Sequence, residues 1–189
     1  MTFKLHFFIT LLMILGLIIS CSNSSKKTPV IKKIHHESNK KIDSNLENSK
    51  IKGYIRAYLN LKNTLVNDDK ENSSKNWLEL ENELNKLSFN SNETQKQNEF
   101  MLLLNETKLY LKQINITSIE SQRISFELIS QKLLLLIKIT GSAVKLYEHY
   151  CPMFNKNKGG IWISSNKEIF NPLFGSSMLK CGYVKSEIN

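Results

Sequence analysis

Glycine and proline are scarce in this chain, seven and three in 189 residues, and five of the glycines fall at or after residue 141. Little is left to interrupt helices in the middle of the chain, and turns concentrate at its end. Arginine is scarcer still: Arg56 and Arg123 are the only two. The formal charge is +9, which raises a nucleic-acid partner first. Yet the lysines are scattered or lie in the N-terminal quarter, and Arg, the favoured reader of phosphate and guanine, is nearly missing. No nucleic-acid partner is expected. After His35-His36 the only histidine is His149, which leaves hydrolase triads little material. There is no phosphate-binding glycine loop and no dinucleotide fingerprint. The paired acids Asp68-Asp69 stand in a loop beside lysines and read as solvated. His149 and Cys151, two apart on an extended segment, share a face, so a Cys/His nucleophile pair is conceivable. No orienting group or oxyanion loop accompanies it, and an enzyme is not expected.

The N-terminus has its own chemistry. Lys4 precedes an apolar run from Phe7 to Ile19, broken only by Thr10 and Gly16, and Ser20-Cys21 follows. The run is short for a membrane span and ends in a small residue, which reads as an export signal over 1–20. Leu17-Ile18-Ile19-Ser20-Cys21 resembles a bacterial lipobox, with Cys21 as the lipidated residue. Anchoring to a membrane through that lipid is the expectation, facing the periplasm. Ser22 rather than an acid after the cysteine resembles known lipoprotein sorting patterns that imply the outer rather than the inner membrane. Residues 21–48 are a Ser/Asn/Lys-rich linker, too poor in apolar residues to offset ordering entropy. His35-His36 within it reads as incidental.

From about residue 49 the helical period takes over. A first stripe, from about Leu46 to Val66, carries Ile51, Tyr54, Ile55, Tyr58, Leu61 and Leu65. A second, about Ser74 to Leu87, carries Trp77, Leu80, Leu84 and Leu87. A third covers about Glu93 to Ile114, with Asn92 and Gln95 at capping-box spacing and Phe100, Leu103, Leu104, Thr107, Tyr110, Leu111 and Ile114 inward. The fourth starts at Thr117, with Glu120 three residues on, and carries Phe126, Ile129, Leu133, Leu136 and Ile137. Leu133 to Ile137 is apolar all round, which predicts the most buried helix of the four. Gly141 ends or interrupts it. The expected fold is mainly α: a four-helix up-and-down bundle with a small C-terminal hairpin or loop subdomain, spanning 49–189.

The special residues come last. His149-Tyr150-Cys151-Pro152-Met153 and Met178-Leu179-Lys180-Cys181-Gly182 flank turn signals at Gly159-Gly160, Asn171-Pro172 and Gly175. An excursion between them can return one cluster to the other. With Cys21 lipidated, Cys151 and Cys181 form an even pair in an exported chain, the arithmetic of a disulfide. Closing about 30 residues is worth roughly 3–4 kcal/mol in the chain-entropy view. The other reading uses the neighbours. Thiolate and thioether select Cu(I), and each cluster places a methionine near its cysteine. On that reading His149, Cys151, Met153, Met178 and Cys181 are candidate ligands for a copper ion. The methionines also suit core filling. Zinc through Cys and His lacks the usual four-ligand spacing.

The run from Tyr147 through Met153, then Asn157 to Ser164, Glu168 to Gly175 and Met178 to Gly182, together with Tyr58 to Val66 upstream, resembles the signature of the domain of unknown function 3347 family. The similarity spans about residues 50–187. Phe170 departs from the family's frequent Arg, and Leu173 from its frequent aromatic. The family occurs in Bacteroidota as secreted or lipoprotein single domains, and as the tail of adaptor subunits of copper and heavy-metal efflux pumps. The resemblance implies a periplasmic metal-handling accessory, with an efflux adaptor or another envelope protein as partner. The alternative is a non-catalytic envelope interaction domain with a Cys151–Cys181 disulfide.

Overall fold

The computed structural model describes residues 52–188, all within the second of the chain's two units, 33–189. The expected export signal, Cys21, the expected linker and the opening of the first stripe, Ile51 included, lie outside the described residues. Four long helices are formed: α1 Gly53–Val66, α2 Lys70–Lys86, α3 Thr94–Leu111 and α4 Ile119–Thr140. No helix among the described residues is long and apolar enough to cross a membrane.

The stripes read from the period are the buried ones. Tyr54, Ile55, Tyr58, Leu61, Leu65, Trp77, Leu80, Leu84, Phe100, Leu104, Phe126, Ile129, Leu133, Leu136 and Ile137 join one core. Each long helix packs on its neighbour in sequence, and α1 also meets α4. The ends differ from expectation, for local reasons. Helix α2 begins at Lys70 rather than near Ser74, because the Asp69 carboxylate accepts the Asn72 N–H at 3.1 Å and caps it there. Asn92 and Gln95 form no capping box; the N-cap of α3 is Glu93, without a side-chain cap. Thr117 and Glu120 do not cap α4 either. Asn115 Oδ1 takes the Thr117 N–H and hydroxyl at 3.0 and 2.7 Å, and the capping box passes to Ser118 with Ser121. Gly141, at φ +70°, ends α4 as read. Leu135, within the apolar run, is 49% exposed, and Ile124 and Leu128 earlier in the helix are exposed in comparable degree, so α4 is not buried all round.

Where a hairpin or loop was expected, the chain builds a three-stranded antiparallel sheet. Its strands are β1 Leu146–Cys151, β2 Gly160–Ser164 and β3 Tyr183–Ile188, in the order β2-β1-β3. A left-handed turn joins β1 to β2, with Asn155, Lys156 and Asn157 at φ 50°, 57° and 65°. Asn tolerates that region; Lys156 is held there at a cost in strain. His149 pairs with Trp162 on one side and Val184 on the other, with a register shift between Glu148 and His149 on the β3 side.

The free edge of β2 is closed by the helices. The Ile163 N–H donates to the Tyr58 hydroxyl at 2.9 Å, and the Ile161 N–H to Glu127 at 3.3 Å. The Tyr58 hydroxyl lies 2.7 Å from Ser130 Oγ, which donates to the Phe126 carbonyl at 2.7 Å. This relay runs strand to α1 to α4 with every group satisfied, and it removes a pairing edge. Burial holds the Tyr58 phenol far above its ordinary pKa and therefore neutral.

Candidate functional site

The sheet and the loop after β2 set the site. Cys151 ends β1 and is fully buried; Cys181 lies just before β3 and is partly buried. The strands' return brings the two free thiols, 30 residues apart, to an Sγ–Sγ distance of 2.9 Å. Burial, then the neighbouring Cys151 thiol, pushes the Cys181 thiol up to about 11; a Met153 backbone N–H directed at its sulfur opposes that shift. At neutral pH Cys181 is protonated.

The loop that carries Cys181 is held by Asn171, itself fully buried. Its Nδ2 donates to the Cys181 carbonyl at 2.8 Å, and its Oδ1 accepts the Leu173 N–H at 2.8 Å. Its own N–H donates to Leu179 O, and its carbonyl accepts the Gly175 N–H, both at 2.9 Å. The sequence marked Asn171-Pro172 as a turn and no more.

The remaining candidates are placed unequally. Met153, at the start of the left-handed turn, is exposed and lines a groove of about 560 Å³ with Ile124, Leu128, Phe154, Leu173 and Phe174. Met178 closes a 3-10 turn, Gly175–Met178, is half-buried, and accepts the Cys181 N–H on its carbonyl at 3.0 Å. His149 shares the face of β1 with Cys151. It is fully buried, its ring centroid 5.2 Å from that of Trp162 with the two rings nearly perpendicular, and both its nitrogens lack a hydrogen-bond partner among the described residues. Burial, then the Lys62 cation, lowers its pKa to about 4, so the imidazole is neutral. Among the described residues no three His, Cys, Asp or Glu side chains converge as a metal-holding group. The structure thus brings the two thiols together and leaves His149 outside such a trio with them.

A second polar knot braces the site from below. Arg123 of α4 donates to Leu65 O and Pro172 O, both at 3.1 Å, and pairs with Asp68. Asp68 also accepts the Ser176 N–H at 3.1 Å. Burial alone raises the Asp68 carboxyl; the Ser176 contacts and the Arg123 guanidinium outweigh it and hold the pKa below the ordinary carboxylate value. Asp68 stays exposed, as the sequence reading has it, but it is paired with Arg123 and Ser176 rather than free. One arginine joins the α1–α2 turn, α4 and the loop that carries the site.

Fold and site together define a class: a mainly helical domain closed by a small C-terminal antiparallel sheet that presents a pair of thiols. Residues 54–145 match the family described as protein of unknown function (DUF3347), and over that stretch the chain resembles it. The matched stretch is the helical body, and it ends just before β1. The Cys/Met/His run beyond it lies outside the match. No curated protein and no solved structure matches the chain.

Proposed function

We propose that this is a lipid-anchored, periplasm-facing accessory domain that holds a soft metal ion, copper foremost, for a heavy-metal efflux or resistance system. The observation that carries the proposal is the thiol pair, Cys151 and Cys181, at 2.9 Å. Both are free, and both have a methionine close in sequence, a donor set suited to Cu(I). The separation lies between a ~2.05 Å disulfide bond and the roughly 3.8 Å between two thiolates on a tetrahedral metal with ~2.3 Å bonds. An opening of under about 1 Å admits an ion on that geometry. His149, neutral and without a hydrogen-bond partner among the described residues, is a candidate additional donor, and Met153 is the most accessible one. Copper is cargo in this reading, delivered to or buffered for an efflux adaptor. The anchor rests on Cys21 and the apolar run before it. The helices are read as an up-and-down four-helix bundle, supported by sequential packing closed by α1 on α4.

The same distance supports a second reading, in which Cys151 and Cys181 form a disulfide in an envelope interaction domain. Counting thiols in the purified mature chain separates the two. The metal reading expects two reactive thiols, both protected on adding one equivalent of Cu(I). The disulfide reading expects none before reduction, and no better retention of Cu(I) than an unrelated helical protein afterwards.

A further inference from the structure

We infer that Asn171 is the positioning residue of the thiol pair: its carboxamide, bonded to the Cys181 carbonyl, sets how close the Cys181 sulfur stands to Cys151. The inference rests on the reading of the two cysteines as a working pair, whether they close on a metal or on each other. Cys181 belongs to no strand; it sits between the 3-10 turn Gly175–Met178 and β3. Cys151 is fixed by strand pairing to Gly160, so the free variable in the sulfur separation is the path of the loop. The backbone of Cys181 has two local ties, its N–H to Met178 O at 3.0 Å and its carbonyl to Asn171 Nδ2 at 2.8 Å, while the Met153 N–H directed at its sulfur comes from the β1 side. The first is a bond within the turn and moves with it. The second crosses ten residues to a fully buried side chain. Asn171 is itself fixed by its other three hydrogen bonds, to Leu179, Gly175 and Leu173. Its side chain uses one donor and one acceptor at once, on two separate atoms, which a carboxamide supplies without a charge. The Lys180–Glu168 ion pair, by contrast, is exposed on both sides and holds the outside of the same loop.

Two substitutions isolate the tie. Asn171→Asp keeps the shape and the acceptor for the Leu173 N–H but presents an acceptor to the Cys181 carbonyl. Asn171→Ser keeps an acceptor without a charge and is too short to reach that carbonyl. Glu168→Gln loosens the loop without touching Asn171 and serves as control. The full chain and each variant are equilibrated in glutathione buffers, and the fraction of intramolecular Cys151–Cys181 disulfide is read by thiol labelling. Circular dichroism follows the fold. Both Asn171 variants are expected to close the pair about five- to tenfold less readily than the wild type, the weight of one hydrogen bond, with helix content retained. Glu168→Gln should match the wild type. Closure of either folded Asn171 variant as readily as the wild type overturns the inference, and so does an equal loss in Glu168→Gln. A wild type that forms no such disulfide and retains no Cu(I) instead removes the pair reading beneath it.

Discussion

His149 shows how much a single side chain can be asked to carry. Its neutral ring is packed on Trp162 with no hydrogen bond among the described residues, and burial and Lys62 lower its pKa to about 4. In the unfolded chain the value returns to about 6.5. Between those values the unfolded state binds the extra proton, so stability rises with pH across the window. It should be fully present above about pH 6.5 and fall by up to about 3 kcal/mol as pH drops toward 4. Urea melts at pH 7 and 4.5 test this; His149→Phe should remove most of the difference, and an unchanged difference would contradict the assignment. Asp68 loses its contribution only lower, as pH falls through its depressed value, so the two are separable. Tyr58 makes a second case. Its burial was legible from the helical period, its hydroxyl's work was not. Periodicity reports which side chains face inward, but a partner 105 residues away, the Ile163 N–H, leaves no local trace. Tyr58→Phe strands that N–H and should cost about 1–3 kcal/mol in a urea melt.

The helices were readable because their apolar spacing and breakers are local. Their caps were less so, since Asn115 competes for Thr117 and the box moves to Ser118 and Ser121. Ser118→Ala should cost about 1 kcal/mol, while Thr117→Ala should cost α4 almost nothing; equal losses would refute the placement of the cap. The sheet was hidden for a different reason. Its centre strand, Leu146–Cys151, is buried at Leu146, Glu148, His149 and Cys151, so strict polar–apolar alternation is absent. Glu148 is buried because Lys185 and Ser186 of β3 bond it at 2.6 and 2.9 Å, a cross-strand arrangement that no window of sequence contains. The short apolar runs were visible; their pairing was not. Arg123 likewise reads as an ordinary helix residue, although it joins the α1–α2 turn to the C-terminal loop. Arg123→Met should lower stability by about 1.5–3 kcal/mol, the range for hydrogen bonds to a charged group, and speed proteolysis of the loop at 165–182. Loss of stability without faster cleavage there would show that the arginine does not hold that loop.

For the whole chain, sequence and structure agree most where burial decides, in a helical core continued onto a sheet by Leu146, Trp162, Ile163 and Ile188. The site lies at the other extreme. Two cysteines 30 residues apart were visible as a pair, but their approach depends on strand pairing and on Asn171, which are properties of the assembled molecule. The helices and the sheet share one core, so residues 45–189 should fold alone with a cooperative helical melt. The central claim is that this assembled pair holds a soft metal. Its most direct test is competition for Cu(I) between the reduced protein and a chromogenic chelator, run on the wild type, Cys151→Ser, Met153→Leu and Met178→Leu. The account predicts one tightly held ion per chain, lost in Cys151→Ser, where a hard oxygen replaces the thiolate. It predicts weaker retention with the fold intact when a thioether is replaced by leucine of similar volume. Equally weak competition by the wild type and every variant would contradict it and leave Cys151 and Cys181 as partners in a structural disulfide.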